Sequence, residues 1–412
     1  MKKRHLFLIL GFLIAVFTLA GCHEPANTGW ETNDHGTFYR DATGIPVTGW
    51  QEIDGNRYYF GESGAMVTGW QQIDGITHFF DNTGAQVFGW VTSRGMRYYL
   101  TESGPLTGWQ ELEGKHYYFL EGGSLLTGWA EISGSRYYFD EAGQTAGGWR
   151  EIDGRRYLLD ERGKVLTGWQ EIDGHRFHLS KDGSMTTGWY TDADSGYEYY
   201  FFGDGTMAVG TVEIDGITRY FTNKGVHILL VNPWHPLPDG FKVELVYVED
   251  GYQMDIRCYD ALVRMLADCR SAGYDPKLVS GYRTQDVQEY LFDVKVNYYL
   301  DLDYSPEEAR VEAAKSIAIP GTSEHQIGLA VDILEATHNA MDDTQADTAT
   351  QKWLMEHCHE YGFILRYPEG TTNITGIIYE PWHYRYVGVE IATEITERGI
   401  TLEEYLNAVV TD

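Results

Sequence analysis

At 412 residues the chain exceeds one ordinary domain, so two folded parts are expected. A formal charge of -30 excludes nucleic acid as a direct partner, because a phosphate backbone needs clustered Lys and Arg. Aromatic residues at 14% together with 47 glycines point away from a helical protein and toward many short strands joined by tight turns.

Lys2, Lys3 and Arg4 precede an apolar run from Leu6 to Leu19. That run is too short to span a membrane comfortably and suits the apolar part of a signal peptide. It ends in Leu19-Ala20-Gly21-Cys22, which resembles the lipobox of bacterial lipoproteins. The resemblance implies removal of residues 1–21, a lipid on Cys22 and attachment to the outer face of the cell membrane.

A repeat follows. Gly-Trp recurs at 29–30, 49–50, 69–70, 89–90, 108–109, 128–129, 148–149, 168–169 and 188–189, a 20-residue period with one 19-residue step. Each unit continues with a short segment such as Gln51-Glu52-Ile53, an Asp-Gly turn pair as at 54–55, and an aromatic strand such as Arg57-Tyr58-Tyr59-Phe60. Asp-Gly favours the two-residue type I′ hairpin, and stacked hairpins can bury aromatic faces that one alone cannot. Residues 27–225 are therefore expected to form an all-β hairpin solenoid. The units resemble the choline-binding and glucan-binding repeats of Gram-positive surface proteins, and similar repeats of clostridial toxins. In choline-binding repeats a second Trp usually precedes the Tyr-Tyr pair. Here that place holds Arg57, Thr77, Arg97, His116, Arg136, Arg156, Arg176, Glu198 and Thr218. The departure favours a glycan or another wall polymer over choline as ligand.

Residues 226–238, with Pro233, Pro236 and Pro238, read as a linker. Residues 239–412 then mix strands with helices and suffice for one α+β domain with a small antiparallel sheet. Apolar residues fall at helical spacing over Asp255 to Ala272, Pro306 to Ile317 and Thr348 to Tyr361. Cys258 and Cys269 would lie about 16 Å apart on one helix, too far to bridge. Glu356-His357-Cys358-His359 looks metal-like, but on a helix His357 and His359 point about 200° apart and cannot readily share an ion.

Three segments carry the chemistry: Ser280-Gly281-Tyr282-Arg283 with Gln288, Ser323-Glu324-His325 running on to Asp332, and Glu380-Pro381-Trp382-His383. Two histidines and an aspartate are donors that zinc accepts, and three protein ligands leave a fourth position for water. Gly328 to Ile333 reads as a buried strand with Asp332 at its end and His325 on the preceding loop. Pro381 keeps Glu380 and His383 off a helix interior.

The order His-x6-Asp followed by Glu-x-x-His resembles the VanY-type D-alanyl-D-alanine carboxypeptidases and their dipeptidase relatives, from about Asn232 to the C-terminus. The resemblance implies Zn2+ on His325, Asp332 and His383, with Glu380 as general base. It places Arg283 at the scissile carbonyl or substrate carboxylate, and Tyr282, Gln288, Ser323 and Trp382 around the pocket. The implied substrate is a peptidoglycan stem peptide losing its terminal D-alanine. An L,D-carboxypeptidase or wall endopeptidase would share the metal site, and a non-catalytic surface adhesin is the alternative of another class.

Overall fold

The Asp-Gly pairs do what their backbone preferences allow. In the computed structural model, which describes residues 27–238 and 240–410, Asp54 and Gly55 both take positive φ, 52° and 78°. They close a two-residue loop in which Ile53 pairs Asn56 and Trp50 pairs Tyr59. The expected signal segment and Cys22 lie outside the described residues.

The described residues divide into two compact units, with the division between Leu166 and Thr167. The described part of the first unit is a series of antiparallel hairpins beginning with Gly29–Asn33 and Gly36–Arg40 and ending with Gly148–Ile152 and Arg155–Leu159. Strand alternation sends Ile53, Tyr58 and Phe60 to the inner side, where Phe60 is fully buried. Backbone bonds stitch each hairpin to the next repeat: Met66 N–H donates to Thr37, Gln86 to Arg57 and Leu125 to Arg97, each at 2.7 Å.

The second unit begins with three more hairpins, the last widened by His227–Ile228. Residues 226–238 follow, and Val226, Ile228, Leu230, Val231 and Asn232 in it are buried. Helix α1, Ile256–Ser271, is capped by the Asp255 carboxylate and buries Cys258, Ala261, Leu262, Met265, Leu266 and Cys269 along one stripe. That stripe packs with Leu278, Val331, Ile333, Phe363 and Tyr384 from a four-stranded antiparallel sheet. The strands are β1 (Pro276–Ser280), β2 (Ala330–Glu335), β3 (Phe363–Leu365) and β4 (His383–Tyr386), in the order β1-β2-β4-β3. Helices α2 (Gln285–Leu300) and α3 (Pro306–Ala314) pack together beside it, and α4 (Ala349–His357) runs into a 3-10 turn, Cys358–Tyr361.

Helix α2 is absent from the periodicity reading because its apolar residues form no clean stripe; only Gln288 and Phe292 are buried. Cys258, Cys269 and Cys358 are free thiols in the core, and burial pushes each up to about 12. His357 bonds Glu360 instead of a shared ligand with His359. No helix among the described residues is long and apolar enough to cross a membrane.

Candidate active site

The register of the sheet assembles the site. Asp332 sits third in β2, inside the strand and not at its end as the sequence suggested, directly opposite Ser280 on β1 and His383 on β4. His383 opens β4 because Pro381 interrupts the chain just before it, and its N–H closes a turn onto Glu380 O at 3.2 Å. His325 comes from a single 3-10 turn, Glu324–Ile327, which ends at Gly328 with φ 70°. A Cβ on Gly328 would meet Asp255 N at 3.0 Å, so both the dihedral and the space call for glycine.

One donor atom each from His325, Asp332 and His383 lies within 4.8 Å of the others, and all three residues are buried. His325 Nδ1–H donates to Gly281 O at 2.8 Å, leaving the Nε2 lone pair toward Asp332 Oδ2 at 3.3 Å. His383 presents Nδ1 to Asp332 Oδ1 at 3.1 Å and to Glu380 Oε2 at 3.6 Å. Asp332 Oδ1 is buried without a hydrogen bond, as are His383 Nε2 and Glu324 Oε2, which face each other at 3.6 Å. A carboxylate with one oxygen toward each of two imidazole nitrogens, Oδ1 among them without a hydrogen bond, is a donor set that fits a divalent cation, and the Glu324–His383 pair is the kind of outer partner such donors use.

The electrostatics follow from burial and neighbouring charge. Burial, with Arg283 adding to it, brings His325 down to about 4, so the ring is neutral and its lone pair available. Burial opposes ionisation of Asp332, yet His325 and His383 hold it well below the usual carboxylate range. Burial pushes the Glu380 carboxyl up to about 8, against the pull of His383 and Arg283. Burial disfavours the His383 cation, but Asp332 and Glu324 outweigh it and raise the ring to about 9.

His325, Asp332, His383 and Glu380 line a cavity of about 270 Å³ with Arg283, Ser323, Trp382, Tyr367 and Lys295. Arg283 Nη2 donates to Asp332 Oδ2 at 2.9 Å, while its Nε and Nη2 also reach Ser280 Oγ at 3.0 and 2.9 Å. Gln288 is buried under it, accepting from Arg283 Nη1 at 3.4 Å and donating to Ala318 O at 2.8 Å, so it orients the arginine and does not line the cavity. Tyr282 does not line the cavity either; its backbone N–H bonds Gln253 O at 2.7 Å. A larger cavity of about 620 Å³, beside Trp189, Phe241 and Tyr386, holds no cluster of metal-ligating groups among the described residues.

Sequence reasoning passed over a buried charge network behind the site. Arg366 and Arg385 both donate to Glu324 Oε1 at 2.8 Å, and Arg366 also forks onto Glu403 at 2.6 and 2.9 Å. Burial works against the Glu324 carboxylate, but the two arginines keep it ionised far below its ordinary value. Adjacency was the available signal: Glu324 precedes His325, and Arg385 follows His383 by two residues.

The sequence is similar to known proteins over both the repeats and the region that carries this site. The family described as D-alanyl-D-alanine carboxypeptidase (VanY) matches residues 251–389, and the choline-binding repeat family matches 27–68, 67–105, 106–146 and 166–211. The D-alanyl-D-alanine carboxypeptidase of Enterococcus faecalis is 44% identical over 180 residues, which covers 44% of this chain and 65% of that relative. The putative carboxypeptidase YodJ of Bacillus subtilis is 34% identical over 208 residues, covering 48% of this chain and 72% of the relative. A solved vancomycin-resistance D,D-pentapeptidase VanY in complex with Zn(II) is 43% identical, covering 43% of this chain and 97% of that one, with a TM-score of 0.40. The chain therefore belongs to the VanY family of D-alanyl-D-alanine carboxypeptidases, with repeats of the choline-binding type ahead of that domain.

Proposed function

We propose that the protein is a zinc-dependent D-alanyl-D-alanine carboxypeptidase that removes the terminal D-alanine of peptidoglycan stem peptides. The convergence of His325, Asp332 and His383 on one point, with the Glu380 carboxylate 3.6 Å from His383 Nδ1, carries this reading. A zinc ion held by those three residues would lower the pKa of a bound water, favour the ionised form of the neighbouring Glu380 and polarise the peptide carbonyl. Glu380 then takes the proton of the attacking water on its carboxylate and delivers it to the leaving amine nitrogen. Arg283, fixed by Ser280, Asp332 and Gln288, offers N–H donors to the carbonyl oxygen or the terminal carboxylate of the peptide. Ser323, Trp382 and Tyr367 shape the cavity around that end.

The repeats hold the enzyme at the wall through a wall polymer or glycan, and a lipid on Cys22 tethers it to the outer face of the membrane. Residues 27–225 serve as the binding part, 226–238 as the connection and 239–412 as the catalytic part. The deciding experiment is mass spectrometry of synthetic penta- and tetrapeptide stems incubated with the purified protein. Loss of one D-alanine from the pentapeptide is the expected result. Cleavage of the tetrapeptide alone would mean an L,D-carboxypeptidase, and no cleavage of either would sink the peptidase reading.

A further inference from the structure

The tryptophans of the first unit fall into two groups. Six of them, Trp30 to Trp129, meet rings from their own hairpin and the next: Trp50 meets Tyr59, His78 and Phe80 at 5.2, 5.0 and 5.8 Å. Trp109 meets Tyr118, Tyr137 and Phe139 at 5.3, 5.1 and 5.6 Å. The aromatic geometry is thus the same in both, but what lies over the indole is not. A guanidinium of the same hairpin covers Trp50 (Arg57, 4.1 Å), Trp90 (Arg97, 4.3 Å), Trp129 (Arg136, 3.8 Å) and Trp149 (Arg156, 4.9 Å). No cation lies over Trp30, Trp70 or Trp109 among the described residues; the equivalent positions there are Thr37, Thr77 and His116. Covered and uncovered rings alternate from Trp30 to Trp129. The uncovered ones are spaced 40 and then 39 residues apart.

We propose that Arg57, Arg97 and Arg136 are built-in occupants of the aromatic sites, closing those hairpins to an external organic cation and leaving, among these six described tryptophans, the indole faces of Trp30, Trp70 and Trp109 without a resident cation. This goes beyond the peptidase reading and does not depend on it. An aromatic box attracts a cation within about 6 Å of the ring centre, and a tethered guanidinium reaches that place without losing translational freedom. A free quaternary ammonium must displace it, and gains nothing where the cation–π energy is already satisfied. The arginines do not make a site for polyanions instead. Glu52, Glu131 and Glu151 stand directly opposite Arg57, Arg136 and Arg156 across their hairpins, so these positions are close to charge-balanced, while Arg97 faces Thr92 alone. The open hairpins carry Thr32 opposite Thr37 and Gln72 opposite Thr77.

Two measurements on the chain lacking its signal segment test this. The first is calorimetric titration with choline chloride of the parent and of an Arg57→Gln, Arg97→Gln, Arg136→Gln variant. The variant should bind up to three more choline molecules per chain than the parent, with an unchanged circular dichroism spectrum. A folded variant with the parent's stoichiometry would overturn the proposal. The second needs no substitution. In the parent, Nε–H proton resonances of the stacked arginines should be shifted upfield by the indole ring current and should stay there in saturating choline. Unshifted resonances, or shifts abolished by choline, would show that the guanidinium is not the resident occupant.

Discussion

At the residue scale, Glu380, the proposed general base, is where catalysis and metal binding can be tested apart. Its carboxylate faces His383 Nδ1 at 3.6 Å, and burial brings it up to about 8. Glu380→Gln keeps the shape and removes the proton acceptor. Metal content by elemental analysis should stay at that of the parent, while turnover of a D-Ala-D-Ala-terminated peptide falls roughly a hundred- to ten-thousand-fold. Loss of metal in that variant would make Glu380 a ligand. Arg283→Lys keeps the charge but loses the fork that spans Ser280 and Asp332, so its defect should be smaller and should raise KM as well as lower kcat. Glu324→Gln tests the residue behind His383. If its ionised oxygen orients that ring, metal affinity measured by competition with a chelator should weaken about 10- to 100-fold.

At the element scale, the two-carboxylate, two-arginine network ties the short helix Leu402–Tyr405 to β4 and to the turn carrying His325. Glu403 is fully buried, receives Arg366 through both oxygens and also accepts from Asn232 Nδ2 at 2.9 Å. Removing one partner leaves an uncompensated buried guanidinium, which costs about 3–5 kcal/mol. Glu403→Ala should lower the melting transition of the catalytic unit by roughly 6–20 °C on that basis, although it touches no ligand. A shift of a degree or less by scanning calorimetry would mean that the pair is solvated and the network unimportant. The repeat hairpins are ordered by the next hairpin's rings and the backbone bonds between repeats, with surface pairs such as Arg40–Glu31 added to them.

At the scale of the whole molecule, the proposed assignment of chemistry and attachment to separate stretches of chain means that the two should fail separately. Chelation should abolish turnover and added Zn2+ should restore it, while retention on purified wall is unchanged by either treatment; wall release on chelation would couple the two. Wall retention should also exceed retention on a choline resin, since most tryptophan faces of the first unit are covered by arginine. Strong choline-dependent elution would reverse that ligand assignment. Cys22→Ala should release the protein from the detergent phase in a partitioning assay. Unchanged partitioning would remove the lipid anchor from the account.

The local features were legible because they are properties of short stretches. Asp54-Gly55 dictates its own turn, the 20-residue period announces stacked hairpins, and Asp255 with the apolar spacing behind it specifies helix α1. The three motifs likewise carry donor types that zinc accepts, because zinc chemistry depends on side-chain donors that can be read singly. Their convergence was a matter of register. Asp332 opposite both Ser280 and His383, 52 and 51 residues away, is a pairing that only the folded sheet decides. The same holds for Glu324, Arg366, Arg385 and Glu403, whose charges are affordable in the core only once four separate segments neutralise one another. It holds too for the arginines of the repeats: sequence marked Arg57 as a missing tryptophan, and only the fold puts its guanidinium over Trp50, 4.1 Å from the ring centre.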